Sequence, residues 1–271
     1  MVPVTITLVI PGNLKYSVDL EYIRKWKSKL FNIVGIDRID SLPNASGVPS
    51  GYSDSELTRV FTTSKRSEIT LAIIGAQLEL NFYARILPNG VVVLSLFEMG
   101  NILDRENQSI ENFIVRCLYA LTLTYVECGR SISLDRAIRL HHDETRGCLY
   151  DFNQNKIEIV HSLDKPKLCA DCLARLGHAQ VDAEFKPTLF RELKRIRKSL
   201  YYRILDWAKK NPIKTILLTT LWAILLHLTA NFVYDFCKSE FGSIAESKTG
   251  ASTPLNESSH KPPQTNEKSN H

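Results

Sequence analysis

The sequence predicts an α+β (mixed α/β) N-terminal domain with a zinc-knuckle segment, followed by a single C-terminal transmembrane helix. Three observations predict this class. Short β-like runs alternate with amphipathic stretches over residues 1–184, cysteines and histidines gather within 141–178, and residues 213–234 are almost wholly apolar. A basic amphipathic helix at 185–212 and a polar tail at 235–271, predicted to be disordered, complete the division.

The first domain is predicted from short apolar runs and from the turn signals between them. Asn89-Gly90 is a strong hairpin signal, because both residue types accept the positive φ of a tight turn. Ser109 suits a helix N-cap, and Gly129 suits the end of the same helix. Residues 44–54 are rich in Ser, Gly and Pro and predict a loop. The predicted strands are Val4–Ile10, Ile69–Ile74, Leu78–Leu87 and Val91–Phe97, and the predicted helices are Leu20–Phe31 and Ser109–Glu127.

The cysteine pattern predicts a metal site. Six cysteines in 271 residues, unevenly spaced, do not fit a disulfide-rich secreted scaffold. Cys169-Ala-Asp-Cys172 has the turn spacing that lets two thiolates bind one tetrahedral Zn²⁺, and Cys148 precedes it by a ribbon-like arm. The predicted ligands of this structural Zn²⁺ are Cys148, Cys169, Cys172 and His142, with His141 or His178 as alternatives to His142. A redox dithiol and three unrelated cysteines are the competing interpretations.

The segment from Leu140 to His178 resembles the C-terminal part of archaemetzincin-type zinc proteases. It runs from Leu-His through Cys-Leu-Tyr-Asp-Phe-Asn to Cys-x-x-Cys. In that family a catalytic helix carries His-Glu-x-x-His, a third His follows a glycine turn, and cysteines ending in Cys-x-x-Cys bind a structural zinc. The resemblance implies structural-zinc roles for Cys148, Cys169 and Cys172, and it places His141 or His142 near the third His.

The chain departs from this family at the catalytic helix. Residues 112–127 occupy that position, but they contain no His, and His-Glu-x-x-His occurs nowhere in the chain. The resemblance therefore implies a relative that kept the structural zinc and lost the usual activation of water. No phosphate loop, dinucleotide-binding glycine pattern or Gly-x-Ser-x-Gly motif is present either. A metal-dependent hydrolase using His141, His142 and Glu144 remains the enzymatic alternative.

The apolar run at 213–234 predicts a membrane span. Most of it lacks charged residues, proline and glycine, and about 20 such residues in a helix cross the hydrocarbon core of a bilayer. The preceding stretch from Lys186 to Lys214 holds ten basic residues and only two acidic ones. The positive-inside rule then predicts a cytoplasmic N-terminal domain and a tail that lies outside the cell or in a lumen.

The basic stretch before the span allows three interpretations. It could lie on an anionic leaflet with its apolar face inserted. It could pair with a second copy through Leu193, Leu200 and Trp207 at heptad spacing, giving a homo-oligomer. It could also pack on the N-terminal domain as an ordinary amphipathic helix. The predicted lipid contacts are Arg191, Lys194, Arg195, Arg197, Lys198, Lys209 and Lys210, and no nucleic acid is predicted because the stretch adjoins a span.

Together these features predict a single-pass, membrane-anchored, zinc-binding protein of recognition or assembly, with a cytoplasmic sensor-like domain and an unknown protein partner. The membrane-tethered hydrolase is one alternative. Another is a membrane-disrupting effector whose span oligomerises on a signal received by the domain.

Overall fold

The computed structural model describes residues 2–12, 14–45, 51–179 and 181–246, with side chains up to Asp235. The chain divides into two compact units, 1–203 and 204–271. The tail predicted as disordered at 235–271 lies outside the described residues after Glu246, but its first part, 235–246, is helical and corrects that prediction. The middle of the loop predicted at 44–54 also lies outside the described residues.

The first unit is built on a five-stranded mixed sheet. Its strand order is β2-β1-β3-β5-β4, with parallel pairs except for the antiparallel β4–β5 hairpin at the edge. The strands are β1 (Val4–Pro11), β2 (Phe31–Ile39), β3 (Ile69–Ile74), β4 (Ala84–Ile86) and β5 (Val92–Ser95). The helices are α1 (Leu20–Arg24), α2 (Asp54–Val60), α3 (Met99–Arg105), α4 (Ile110–Glu127), α5 (Leu134–Ile138), α6 (Ala170–His178), α7 (Phe185–Leu193), α8 (Leu200–Lys210) and α9 (Pro212–Glu246), with 3₁₀ helices at Glu79–Asn81 and Lys156–Ser162.

The two faces of the sheet bury different residues of the same strand, as the alternation of side chains requires. On β3, Leu71 and Ile73 join the main core beside α4, whereas Ala72 and Ile74 join a smaller core beneath α2. Both faces are therefore covered, and the mixed α/β architecture predicted for this domain is confirmed.

Helix α4 is the central helix of the main core. The Ser109 side chain accepts the N–H of Asn112 at 3.0 Å, and the chain leaves the helix before Gly129, which has a φ of +73°. Its side chains are buried on nearly every face. The predicted helix and both of its capping signals are confirmed.

Two of the element predictions are wrong in extent. The helix predicted over Leu20–Phe31 ends at Arg24, because Phe31 enters β2 and pairs with Val4 of β1. The strand predicted over Leu78–Leu87 is interrupted by a 3₁₀ turn in which Leu80 has a φ of +57°, so only Ala84–Ile86 joins the ladder. Strands β1, β3 and β5 and the Asn89-Gly90 hairpin lie where they were predicted.

The single basic helix predicted for 185–212 is also wrong, since two helices, α7 and α8, occupy this range. Helix α7 buries Leu189 and Leu193 in the main core. Glu192 is only 6% exposed and accepts hydrogen bonds from Ser28 Oγ at 2.6 Å and Tyr119 Oη at 2.7 Å. These contacts fix α7 on the domain. For this part of the basic stretch, the structure therefore matches the third interpretation, in which the helix packs on the N-terminal domain.

The second unit contains the long helix α9. Among the described residues, Pro212–Asp235 is the one helical segment long and apolar enough to cross a membrane, with a mean hydropathy of 1.8 and none of its window buried.

Candidate metal centre

Four side chains from two segments of the chain meet at one point. His142 and Cys148 come from the irregular segment after α5, Cys169 is the N-cap residue of α6, and Cys172 lies in its first turn. Their ligand atoms all lie within 4.8 Å of one another. Cys148 and Cys172 are fully buried.

This donor set suits zinc. Three sulfurs and one imidazole nitrogen form a common structural Zn²⁺ set, and a tetrahedral ion with Zn–S bonds of about 2.3 Å separates its ligand atoms by roughly 3.5–3.8 Å. The Nε2 atom of His142 lies 3.6 Å from Cys169 Sγ. Among the described residues, this is the one group of three or more His, Cys, Asp or Glu side chains with such spacing. His142, Cys148, Cys169 and Cys172 thus form a possible zinc site.

The buried Asp151 carboxylate orients two of these residues. Its Oδ1 atom lies 3.3 Å from His142 Nδ1, and the hydrogen-bond partner of Nδ1 is the backbone carbonyl oxygen of Glu144 at 3.1 Å. Its Oδ2 atom accepts the backbone N–H of Cys148 at 2.9 Å and that of Arg146 at 3.0 Å. A carboxylate behind a metal-binding histidine fixes its tautomer and raises its basicity. Sequence analysis missed Asp151, although its position three residues after Cys148 was a usable signal.

The loop before Cys148 requires glycine. Gly147 has a φ of +70°, and a Cβ atom there would lie 2.9 Å from the carbonyl oxygen of His161. Beyond this turn the Cys148 sulfur accepts backbone N–H groups from Cys169 at 3.3 Å and Tyr150 at 3.5 Å. Such bonds favour the thiolate, which is the form that binds metal.

The thiols are electrostatically coupled. A hydrogen bond from Cys172, helped by backbone N–H groups, lowers the pKa of Cys148 to about 4. The same bond raises the pKa of Cys172, the donor. Burial acts to raise the pKa of Cys169, but hydrogen bonds from Cys172 and Arg146 outweigh it and leave that pKa lowered. The pocket thus holds negative charge on sulfur, and a dication in the same place would favour it further.

A buried cation lies next to this charge. Arg116, the one basic residue of α4, is 2% exposed. Its guanidinium donates to Ser162 Oγ at 3.0 Å and to the carbonyl oxygens of Leu149 at 3.1 Å and Cys148 at 3.3 Å. Three thiolates and one neutral imidazole around Zn²⁺ would leave a net charge of −1. Arg116 is bonded to the backbone of one of these residues, and Arg146 Nη1 lies 3.8 Å from Cys169 Sγ. A lone arginine in a helix that is apolar on most faces was the available sequence signal.

The structure separates the residues of the predicted hydrolase site. His142 belongs to the metal centre, whereas the Nδ1 atom of the neighbouring His141 lies 2.7 Å from the carbonyl oxygen of Ala137. Burial lowers the pKa of His141 and so favours its neutral form. Glu144 is exposed and pairs with Arg146 at 2.7 Å. His178, the other candidate ligand, is an exposed residue at the end of α6 outside the metal group.

An apolar groove adjoins the metal centre. It is a cavity of about 330 Å³ between edge strand β4 and helix α5. The lining residues are Phe82, Tyr83, Ala84, Arg85, Ile86, Leu134, Ala137, Ile138, His141 and Phe152.

We expect the purified chain to contain about one Zn²⁺ per molecule, bound by the Cys₃His group. Substituting Cys169→Ser or Cys172→Ser should lower the zinc content well below half, because a hydroxyl is a poor zinc ligand. Elemental analysis after gel filtration measures this. The matched control is Cys128→Ala, which removes a buried thiol outside the group. Equal zinc contents in Cys172→Ser and Cys128→Ala would contradict the assignment.

We expect Asp151→Asn to weaken zinc binding roughly tenfold to a hundredfold, the usual effect of losing a carboxylate behind a histidine ligand. Competition with a chromogenic chelator measures the affinity. Asp143→Asn removes an exposed carboxylate from the same segment and serves as the control. An unchanged affinity in Asp151→Asn would show that His142 needs no such support.

The comparisons with known proteins give few matches. No family model and no curated protein matches the sequence. Two solved structures match, both at 16% identity: archaemetzincin from Archaeoglobus fulgidus complexed with malonate, and archaemetzincin from Methanopyrus kandleri. The match to the first structure has a TM-score of 0.36 and spans 63% of this chain and 99% of the archaemetzincin chain. The match to the second has a TM-score of 0.37 and spans 65% of this chain and 97% of the archaemetzincin chain. The chain therefore has a weak resemblance to archaemetzincin, into which its His and Cys group fits, and similarity at this level carries no argument about activity.

Proposed function

We propose that this chain is a membrane-anchored recognition protein whose zinc-stabilised domain binds an extended segment of a partner protein in the groove beside β4. The observation that carries this proposal is the open edge of β4 along an apolar groove. Strand addition to such an edge is a recurring mode of peptide recognition, in which main-chain bonds give affinity and side-chain pockets give specificity.

The register of the β4–β5 hairpin identifies the open groups. Ser95 N donates to Tyr83 O, and Leu87 N donates to Val91 O. Because hydrogen-bonded residues alternate in an antiparallel ladder, Tyr83, Arg85 and Leu87 face β5. The N–H and C=O groups of Ala84 and Ile86 then face away from it. They have no backbone partner within the described part of the chain, so they are available to a third strand.

The opposite wall supplies apolar contacts. Leu134 and Ile138 lie one turn apart on α5 and remain 47% and 53% exposed. A strand added to β4 would direct alternate side chains toward this ridge. The bound segment should therefore carry apolar residues at every second position.

The metal centre holds two parts of the groove in place. His141 and Phe152 line the groove, and each is the immediate neighbour of a residue at the metal site, His142 and Asp151. The backbone N–H of Phe152 also donates a hydrogen bond to the carbonyl oxygen of His142 at 3.0 Å. In this arrangement the zinc has a structural role. The His141 ring contacts the Ala137 carbonyl oxygen, His142 lies in the cysteine group, and the Glu144 carboxylate pairs with Arg146. This geometry supports recognition better than hydrolysis.

Helix α9 would serve as the anchor. Its segment Pro212–Asp235 has the length and apolarity of a span, and α8 before it exposes Leu200, Ile204 and Trp207 together with basic residues. The excess of Lys and Arg before the span, rather than after it, supports a cytoplasmic location for the first unit.

We expect peptides selected by phage display on the full-length protein in nanodiscs to bind along β4. Ile86→Pro removes one outward N–H and leaves the ladder to β5 intact, so it should weaken the selected peptides about tenfold, the effect of one lost hydrogen bond. Fluorescence anisotropy with a labelled peptide measures this. Ile86→Val keeps the N–H and a β-branched side chain and is the control. Undiminished binding to Ile86→Pro would contradict strand addition.

We expect the full-length protein to remain in the membrane pellet after an alkaline carbonate wash. Two arginines near the middle of the span, Leu221→Arg with Leu225→Arg, should release it, since each costs about 3 kcal/mol of insertion free energy. The paired valine substitutions at the same positions should leave it in the pellet. Wild-type protein found in the supernatant would contradict the anchor.

A further inference from the structure

We propose that the first unit itself binds anionic lipid headgroups, through a basic face formed by Lys27, Lys29, Arg191, Lys194 and Arg197. This inference rests on the proposed membrane anchor. It adds Lys27 and Lys29, which lie more than 150 residues before α7 in the sequence, and it makes the domain a lipid-binding element in its own right.

Glu192 assembles the face. Its buried carboxylate accepts the backbone N–H of Lys29 at 2.7 Å and the hydroxyl of Ser28 at 2.6 Å. These bonds attach the lysine-rich loop between α1 and β2 to the C-terminal turn of α7. Glu192 lies on α7 beside Arg191, but its side chain points inward. Its carboxylate is occupied by hydrogen bonds in the interior, and the neighbouring cations remain at the surface.

A second contact joins the same two segments. The Arg195 guanidinium lies 4.3 Å from the centroid of the Trp26 ring and donates to the carbonyl oxygen of Lys27 at 2.5 Å. The loop is therefore tied to α7 on both sides of Lys27. Cations from distant parts of the sequence are held together by specific bonds.

The five cations of the basic face are exposed. Arg24 and Lys25 are left out of the face because Glu21 pairs with both, at 2.8 and 3.6 Å. Gathering like charges on one surface costs electrostatic free energy that a polyanionic surface would recover.

The chain itself argues for a bilayer as that surface. Thirteen residues separate Lys198 from Pro212, where the candidate span begins. Even fully extended, they reach about 50 Å, and α8 shortens this, because 11 helical residues rise only about 16 Å. The basic face is thus tethered close to any membrane that α9 enters. Each Lys or Arg near an anionic leaflet strengthens the attachment roughly fivefold.

Lysine footprinting of the full-length protein tests the proposal. The protein is reconstituted in nanodiscs of pure phosphatidylcholine, and in discs containing about one-third phosphatidylserine, and is labelled with an amine-reactive ester. We expect the labelling rates of Lys27 and Lys29 to fall roughly fivefold in the anionic discs and to recover in high salt. Lys65, an exposed lysine outside the face, is the internal control.

A variant separates charge from fold. Lys27→Glu with Lys29→Glu should remove the protection of Lys194 by anionic discs, whereas Arg59→Glu with Lys65→Glu, on another exposed surface, should preserve it. Rates at Lys27 and Lys29 that do not change with lipid charge would overturn the proposal. So would equal protection by a short RNA oligonucleotide in the zwitterionic discs.

The failure of the anchor gives a different result. If α9 does not insert, the protein is absent from the purified discs altogether. If α9 inserts and the basic face does not bind, the protein is present in the discs and Lys27 labels equally in both lipids. The two proposals are therefore judged separately.

Discussion

The convergence of His142, Cys148, Cys169 and Cys172 on one point is the constraint that orders the irregular segments of the first unit. The segment that supplies His142 and Cys148 has little regular structure: His142 and Asp151 form one isolated β-bridge, and Cys148 and Lys167 form another. Coordination of a metal would give these segments the rigidity that a longer ladder gives elsewhere. Three thiolates would exceed the charge of Zn²⁺ by one, and the buried Arg116 on α4 donates to the backbone carbonyl oxygen of one of these residues, Cys148. The metal centre, the central helix and one wall of the groove are consequently parts of a single arrangement.

Buried ionic groups recur wherever irregular chain meets the core. Glu127 is almost inaccessible and accepts hydrogen bonds from Tyr150 Oη at 2.5 Å and Arg175 Nε at 2.9 Å, which ties α4 to α6. Lys156 donates to Asn81 Oδ1 at 2.7 Å, within the turn whose positive φ values interrupt the predicted strand. Each of these groups is satisfied by partners distant in sequence, so losing one would leave an unpaired polar atom in the interior. The main effect of such hydrogen bonds is to fix the position of a loop on the core, and their contribution to the free energy of unfolding is smaller.

The sequence predicts those parts of the fold that local pattern alone decides. Strand β3 was predicted with its observed bounds because it is a continuous apolar run, and α4 because Ser109 and Gly129 mark its ends. The Cys-x-x-Cys spacing identified the metal-binding turn for a similar reason. By contrast, β2 carries Gly and charged residues and lies at an edge, so its pairing with β1 decides its conformation. Asp151 was missed because a single carboxylate has no sequence period, and only the folded chain shows that it lies behind His142.

The same reasoning explains why the basic stretch differs from its prediction. Its apolar residues follow a helical period throughout, and that pattern does not reveal which neighbour covers them. Leu193 and Ile196 are buried in the main core, whereas Leu200, Ile204 and Trp207 are exposed. Insertion into a leaflet is therefore open only to α8, since the apolar face of α7 is already used by the domain. The cations of α7 can reach lipid only by electrostatic contact, which salt weakens, whereas the apolar face of α8 would bind largely independently of salt. The division of one periodic segment into two helices would thus separate the two kinds of proposed membrane contact that the sequence presents as one.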